Sequence, residues 1–329
     1  MFRTVLSAQR NTLLATALTG CMGLGLAGNA MALETLHFLI PGGAGGGWDS
    51  TARGTGEALS KAGLVDTISY ENMSGGGGGK AIAHLIETAG QQKPTLMVNS
   101  TPIVIRSLSK VFPQSFRDLT PVAATVGDYG AFVVRADSSY TSFKQVVADF
   151  KANPRSVKIS GGSARGSMDH LVAAQAFKAA GGDPRRVKYV AYDAGGKAMA
   201  SLLSGETAVL STGLSEALTL VEAGQVRILA MTGDQRSVAA PDVPTLRELG
   251  YDAVFVNWRG FFAAPGTDEA QTAEYVKTLR EMYDTDAWAQ VRDRYGWSEI
   301  FRPDARFVSF LEEQETSVGN LMKELGFLK

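Results

Sequence analysis

The chain has 329 residues, of which 45% are hydrophobic and 20% are charged, and 37 of them are glycine. Its net charge of −1, without a cluster of lysine and arginine, argues against a nucleic-acid-binding protein. The length exceeds that of one ordinary hydrophobic core, so two domains are expected. Since no broad basic field exists, an anionic ligand would have to be held by local geometry.

The N-terminal segment has the pattern of a secretory signal peptide. Arg3 and Arg10 precede an apolar segment without further charge until Glu34, and Ala-Met-Ala at 30–32 fits the small-x-small cleavage rule. We therefore predict a signal peptide over residues 1–32 and a periplasmic protein. Two alternatives remain open: a transmembrane anchor, and a lipid on Cys21, because residues 18–21 read Leu-Thr-Gly-Cys as in a lipobox.

The first predicted unit consists of an apolar strand over 36–40, the loop Pro-Gly-Gly-Ala-Gly-Gly-Gly-Trp-Asp at 41–49, and a helix with Asp49 as N-cap. Glycines allow the backbone N–H groups to come close to a ligand, and a helix start adds unsatisfied donors and a positive dipole end. Together they predict a seat for an anion. A second strand, over 67–70, leads to five successive glycines and another helix, so two loops are expected to hold one anion from two sides.

A third strand is predicted at 95–99, and prolines at 102, 113 and 121 then indicate a loop-rich passage. The strands of a second series are expected at 131–134, 157–160, 187–191, 207–210 and 226–231. Glycine- and serine-rich loops at 161–167, 192–196 and 211–215 follow three of them. Alternating strands and helices predict an α/β protein with parallel sheets and a ligand outside the carboxyl ends of the strands.

The two series predict two domains, a discontinuous one formed by residues 33–127 and 234–329, and another formed by residues 128–233. In the C-terminal part we expect a short helix starting at 241–245, a strand over 255–264 that is interrupted at 258–260, and then mostly helices. The pattern leaves open which domain the last two helices cover.

Several enzyme motifs fail on inspection. The segment around Lys80 resembles a phosphate-binding loop, but Ala81 stands where the metal-binding hydroxyl is needed. A G-x-G-x-x-G match at 23–28 lies in the signal peptide, and an S-x-x-K match at 107–110 lacks its companion motifs. The three histidines do not pair at metal-ligand spacing, so neither a metal nor a cofactor is expected. A secreted hydrolase that uses Ser163 or Ser167 remains the alternative function.

The polar residues of the second series suggest ligand contacts. Ser163 and Ser167 offer hydroxyl and amide donors at a helix start, which suits a second carboxylate. Arg165 is either a solvated charge or a bidentate clamp. Asp193 would accept a ligand hydroxyl or amine and would repel a carboxylate placed directly against it. Arg259 stands where the predicted strand is broken and is a candidate for facing the cleft.

Taken in order, these segments resemble the Bug/TctC solute-binding proteins of tripartite tricarboxylate transporters. The matching segments are 38–49, 75–79 before Ile82, 162–170, 192–196, 241–245 and 259–267. The resemblance covers residues 36–329 and is closer to the TctC branch at 45–49, 126–130 and 214–216. Trp48 departs from the wider family, in which many members have a small residue or threonine, and it suggests a narrower pocket.

The resemblance implies a two-domain clamshell of the periplasmic-binding-protein type (Venus flytrap, type II-like) that performs no chemistry. It would bind a small di- or tricarboxylate, citrate-like in our first choice, between its domains and pass it to a membrane permease; a monomer is expected. The first two glycine loops would hold a carboxylate and second-domain loops would set ligand choice, while Tyr129 would line the cleft or pack at the hinge. The expected ligand-binding residues are Gly43, Ala44, Gly45, Gly46, Gly47, Trp48, Asp49, Gly76, Gly77, Gly78, Gly79, Ser100, Thr101, Tyr129, Ser163, Arg165, Gly166, Ser167, Tyr192, Asp193, Ser211 and Arg259.

Overall fold

A curled mixed β-sheet with helices packed around it forms the part of the chain that the computed structural model describes, residues 33–92 and 94–328. The predicted signal peptide and Cys21 lie outside these residues. Among the helices in this part, none combines the length and the apolar character needed to span a bilayer.

Most predicted strands are present with small differences at their ends, but β4 has 16 residues where the sequence predicts only 131–134, and β10 lies in a region predicted to be mostly helical. The strands are β1 Leu33–Ile40, β2 Val65–Asn72, β3 Thr95–Ser100, β4 Thr120–Arg135, β5 Lys158–Gly161, β6 Lys188–Ala191, β7 Val209–Gly213, β8 Val226–Met231, β9 Val256–Ala263 and β10 Ser298–Pro303. The helices are α1 Gly47–Lys61, α2 Gly79–Glu87, α3 Thr101–Leu108, α4 Phe143–Ala152, α5 Met168–Ala179, α6 Gly195–Leu203, α7 Leu218–Glu222, α8 Glu269–Tyr283, α9 Asp286–Tyr295 and α10 Ala305–Glu324.

The long strand β4 connects two halves of the sheet. The strand order is β2-β1-β3-β9-β4-β7-β5-β6, and β8 and β10 also pair with β4. From Thr120 to Tyr129, β4 pairs with β9, and from Gly130 to Val133 it pairs with β7. We call the half that contains β1, β2, β3, β9 and β10 the first lobe, and the half that contains β5 to β8 the second lobe.

The α/β clamshell class predicted from the sequence is confirmed, and its sheet is mixed. The strands of the predicted strand–loop–helix units are parallel, since β1 pairs in parallel with β2 and β3, and β5 with β6 and β7. Strand β9 is antiparallel to both β3 and β4, and β4 is also antiparallel to β7. The predicted domain boundary after residue 127 falls inside β4, close to where its pairing changes, and the boundary itself stays a prediction.

The C-terminal helix α10 and the residues after it reach both lobes. Phe307 at the start of α10 packs on Trp258 and Phe262 of β9, with ring centroids 5.6 and 5.3 Å away. Beyond its end, Phe327 packs edge-on against His170 of the second lobe, 4.8 Å between centroids. The apolar core is therefore continuous between the lobes.

Three sequence-based predictions of local structure are wrong. Residues 241–250 form turns rather than a short helix, and Thr245 bridges to Met231 there. Strand β9 is continuous through Arg259, because the irregularity lies in the partner strand between Ala124 and Val126. In the predicted loop-rich passage, Pro121 lies in strand β4 and Pro102 lies in the first turn of helix α3, where a proline removes an N–H that would have no helical partner.

Candidate ligand-binding site

A cavity of about 320 Å³ lies between the two lobes, at the carboxyl ends of the parallel strands. The first lobe lines it with Pro41, Gly42, Gly43, Gly46, Gly47, Trp48, Ser74, Gly75, Gly76, Gly77, Gly78, Ser100 and Pro102. The second lobe lines it with Gly162, Ser163, Ala164, Ser167, Met168, Asp169, Ala191, Tyr192, Asp193, Ala194, Gly195 and Glu216. Strand β9 adds Asn257 and Arg259.

The first glycine loop directs the N-terminus of α1 toward this cavity. The helix begins at Gly47, with Gly46 as N-cap. The prediction of Asp49 as N-cap is wrong, because its carboxylate turns back and accepts hydrogen bonds from Gly45 N, Arg53 Nε and Asn72 Nδ2 at 3.1, 2.9 and 3.0 Å. Asp49 thus closes the loop from behind, and the N–H groups at the helix start stay available to an anion.

The second glycine loop has a backbone that only glycine adopts easily. Residues 75–78 have φ angles of 144, 60, 64 and 98°, in the region that side chains disfavour. Arg106 of α3 lies directly behind the loop, and its Nη2 donates to Gly76 O at 3.2 Å. Burial lowers the pKa of Arg106. In the part of the chain described, no carboxylate lies within salt-bridge distance of this guanidinium, so its positive charge is directed at the loop uncompensated.

Trp48 forms one wall of the cavity and joins three first-lobe segments. Its Nε1 donates to Ser100 Oγ at 2.8 Å. Its ring packs on two glycines, since a Cβ at Gly42 would lie 2.9 Å and one at Gly78 3.4 Å from its ring carbons. The indole of Trp48 therefore fills volume that a small residue would leave open.

Arg259 lies at the base of the cavity and joins the lobes electrostatically. It is 1% exposed, and its Nη2 lies 2.7 Å from Asp128 Oδ2 and 3.8 Å from Glu216 Oε1. The guanidinium also lies against the first glycine loop, because a Cβ at Gly47 would be 2.1 Å from Nη2. Glycine at 47 is thus required by the position of Arg259.

Two second-lobe acids in the cavity wall are held in a low-polarity environment. Burial raises the pKa of Glu216 to about 7, which the neighbouring Asp169 and Asp128 reinforce and Arg259 opposes. Burial likewise raises the pKa of Asp169 to about 7, against the hydrogen bonds from Ser163 and the Gly162 N–H. Asp193 differs, since it is exposed and Lys197 lowers its pKa.

The glycine loops of the two lobes are in van der Waals contact at one edge of the cavity. A Cβ at Gly43 would lie 2.9 Å from the methyl group of Ala194, and one at Gly46 would lie 3.4 Å from Gly195 N. At the same edge, Ser74 Oγ lies 3.5 Å from Asp193 Oδ2. Small residues on both sides allow this approach.

The structure brings many of the expected ligand-binding residues to the cavity and places others outside it. Those in the lining are Gly43, Gly46, Gly47, Trp48, Gly76, Gly77, Gly78, Ser100, Ser163, Ser167, Tyr192, Asp193 and Arg259. Those outside it are Ala44, Gly45, Asp49, Gly79, Thr101, Tyr129, Arg165, Gly166 and Ser211.

The side chains left outside have other partners or neighbours. Arg165 is exposed and its Nη2 donates to Tyr189 O at 2.7 Å, in agreement with a solvated charge and not with a ligand clamp. Ser211 is buried and donates to Asp169 O at 2.9 Å. Tyr129 packs near Gly233, at the end of the second-lobe segment, in agreement with the hinge-packing alternative.

The lining residues that sequence reasoning did not select include Asp169, Glu216 and Asn257. Glu216 follows the carboxyl end of β7, where ligands of parallel sheets are expected to bind. Asp169 lies close to Ser167, which the sequence analysis predicts as a ligand-binding residue. Asn257 had no signal, because it lies inside the antiparallel strand β9. His170, next to Asp169, accepts a hydrogen bond from Gly166 N at 3.0 Å and supports the loop from behind; burial lowers its pKa to about 4.

Comparisons with known proteins agree with this geometry. The sequence model described as "Tripartite tricarboxylate transporter family receptor" matches residues 51–327. Protein BugT of Bordetella pertussis is 25% identical, and the match covers 88% of this chain and 89% of that protein. A UPF0065 protein of Cupriavidus necator is 26% identical over 87% of this chain and 86% of its own length.

Solved structures show the same fold. MatC from Rhodopseudomonas palustris with bound malate superposes with a TM-score of 0.76 at 21% identity, covering 88% of this chain and 98% of that one. Another R. palustris protein, with adipate, gives a TM-score of 0.78 at 21% identity, covering 90% and 98%. With its family profile matched over most of its length, the chain belongs to the receptor family of the tripartite tricarboxylate transporters.

Proposed function

We propose that this protein is an extracytoplasmic receptor that binds a small carboxylate in the interlobe cavity and delivers it to a tripartite tricarboxylate transporter permease. One observation carries the proposal. Two glycine loops and the N-terminus of α1 face one interlobe cavity, and Arg106, which has no carboxylate within salt-bridge distance among the described residues, lies directly behind one of them.

This arrangement suits a carboxylate for energetic reasons. A buried anion needs several hydrogen-bond donors, since burial without them costs several kcal/mol. Backbone N–H groups of an ordered loop are already in position, so little conformational entropy is lost on binding. The ligand class expected from the sequence is a di- or tricarboxylate of the citrate type, and the malate and adipate in the two related structures support a small organic acid.

The proposal includes export through the predicted signal peptide at 1–32 and action in the periplasm without chemistry. For the alternative, a hydrolase, a serine needs an adjacent base. Ser163 Oγ accepts from Asp169 N at 3.0 Å and lies 3.3 Å from the Tyr189 hydroxyl. Among the described hydrogen bonds of Ser163, none involves a histidine.

A thermal-shift screen of the exported protein against small organic acids tests the proposal. A ligand at about 100 times its dissociation constant should add roughly 2.7 kcal/mol to the free energy of unfolding. Positive acids are then titrated by calorimetry, and esters of the same acids are assayed for turnover. Hydrolysis without saturable binding, or no shift with any small organic acid in the screen, would reject the receptor function.

A further inference from the structure

The end of the cavity that the second lobe forms is rich in hydrogen-bond acceptors. Three carboxylates, those of Asp128, Asp169 and Glu216, surround a single guanidinium, Arg259. If all are ionised, this group carries a net charge of −2, whereas the lining from the first-lobe segments other than β9 has no ionisable side chain.

Arg259 is largely committed to Asp128. Its Nη2 bonds Asp128 at 2.7 Å, whereas Glu216 Oε1 lies at 3.8 Å, beyond hydrogen-bond distance. The other oxygen of Glu216 accepts from Thr212 Oγ1 at 3.1 Å. Glu216 Oε1 is thus left with lone pairs for a ligand.

Asn257 is a further polar residue of the cavity lining, on strand β9 two residues before Arg259. It lines the cavity and is 3% exposed. Its Oδ1 is buried and has no hydrogen-bond partner among residues 33–92 and 94–328, and the same holds for Arg259 Nη1. Buried polar atoms are normally satisfied, so these two unpartnered atoms mark this part of the lining as polar. Glu216, whose side chain is 12% exposed, presents the acceptor that a ligand group can reach there.

We infer that the ligand group that meets Glu216 is a hydrogen-bond donor, an ammonium or a hydroxyl, and not a second ionised carboxylate. The inference rests on the proposed function, in which the first-lobe loops hold one carboxylate. An ionised carboxylate placed against Glu216 would face like charge in a low-polarity site, which is a strong means of rejection. A ligand of the citrate type meets this condition through its hydroxyl or through a protonated carboxyl group.

The experiment compares ligands that differ only at one end. Adipate, 6-hydroxyhexanoate and 6-aminohexanoate are titrated into the exported protein by calorimetry at pH 8, and the four-carbon set of succinate, 4-hydroxybutyrate and 4-aminobutyrate is titrated in parallel. We expect the amino or hydroxy acid to bind at least tenfold more tightly than the dicarboxylate of the same length. Dicarboxylates that bind most tightly in both sets would overturn the inference but leave the proposed function intact. No binding by any of the six, together with a flat organic-acid screen, would overturn both.

The variant Glu216→Gln keeps the size of the side chain and removes its charge. It should weaken binding of the amino acid and strengthen binding of the dicarboxylate, each about tenfold. Glu222→Gln is the matched control, because Glu222 is an exposed residue at the end of α7 in the same lobe and should change neither affinity. An equal loss for all ligands in Glu216→Gln would show a merely structural role and overturn the inference.

The pH dependence adds a further readout. The charged and titratable groups that face Glu216 are Arg259, Asp128 and Asp169. Between pH 6 and 8 the wild-type affinity for 6-aminohexanoate should rise as acids in this group ionise, and that for adipate should fall. Because Asp169 also titrates in this range, the part due to Glu216 is the difference between the wild type and Glu216→Gln. Equal slopes for both ligands would contradict the inference.

Discussion

The loops and helix starts of the first lobe line the cavity with glycines, two serines, two prolines and Trp48, so the polar groups there are backbone amides, hydroxyls and an indole. The second lobe lines the same cavity with three acids, Asp169, Asp193 and Glu216, together with Met168, Tyr192 and small residues. Backbone donors depend on the fold and change little when a side chain is substituted, whereas a carboxylate can be gained or lost by one substitution. We therefore expect the first wall to bind the feature shared by all ligands, and the second wall to select among them.

The strongest test of this comparison removes the cation that joins the two walls. In Arg259→Met, the buried carboxylate of Asp128 loses its charged partner, and leaving such a charge unpaired costs about 3–5 kcal/mol. Urea denaturation should show this loss in the free energy of unfolding. In the control Arg236→Met, an exposed pair with Glu248 is lost at a cost below about 1 kcal/mol. Similar costs for both variants would mean that Arg259 does not hold the walls together.

A second test uses the pH dependence of the free energy of unfolding to measure how much the buried Glu216 destabilises the folded protein. The pKa of Glu216 is raised from 4.5 to about 7, so between these values the folded protein retains a proton that the unfolded chain has lost. The stability from this group is therefore fully present below pH 4.5 and is lost as pH rises to about 7.

Glu216→Gln has no such proton, so its free energy of unfolding relative to wild type should rise from pH 5 to pH 7.5 by at most about 3 kcal/mol. His170, whose pKa is lowered to about 4, changes stability in the opposite direction over part of this range, but equally in both proteins. Parallel curves for the variant and the wild type would show that Glu216 is not held in an unfavourable environment.

The glycine wall is tested by Gly47→Ala. An alanine at the start of a helix is normally favourable, but its Cβ would lie 2.1 Å from Arg259 Nη2 and would displace the guanidinium. We expect carboxylate affinity to fall roughly thirtyfold, about 2 kcal/mol, by calorimetry. Gly319→Ala in α10 is the control, since its nearest contact would be at an ordinary 3.6 Å. Unchanged affinity in Gly47→Ala would show that the loop is only a connector.

The smallest expected effect on carboxylate affinity comes from substituting Arg106, the cation behind the second glycine loop. Arg106→Met should weaken carboxylate binding roughly tenfold, about 1.4 kcal/mol, because the charge behind residues 75–78 is lost. Arg106→Lys keeps the positive charge but alters the hydrogen bond to Gly76 O. It therefore distinguishes the effect of the charge from that of the hydrogen bond. Arg117→Met, which removes an exposed cation paired with Glu315, should leave affinity unchanged. Equal affinities in the Met and wild-type proteins would exclude an electrostatic contribution from Arg106.

The strand–glycine loop–helix units were predictable because their signals are local. Apolar strands, glycines and helix periodicity lie next to one another in the chain, and β1, β5 and β8 were located to within a few residues. The topological rule that ligands bind at the carboxyl ends of parallel strands then predicts that the first two glycine loops line one cavity.

Side-chain directions were not predictable in the same way. Asp49 has two local options, an N-cap or a bond back into its loop, and the nearby Arg53 and Asn72 favour the second. Arg165 lies in a ligand-facing loop, yet it reaches the carbonyl of Tyr189, 24 residues further along the chain. Such choices depend on partners that become neighbours only after folding.

The sequence by itself determined the fold class, the family and the glycine-lined half of the site, because these depend on short-range patterns and on the conformational freedom of glycine. Only the tertiary structure decided the other half. The antiparallel insertion of β9 between β3 and β4 sets Arg259 opposite Ser100 and Val126 and brings it to Asp128 and Glu216. No periodicity in the sequence predicts this arrangement, because the strands that pair are more than a hundred residues apart in the chain. Their pairing and burial leave one guanidinium among three carboxylates.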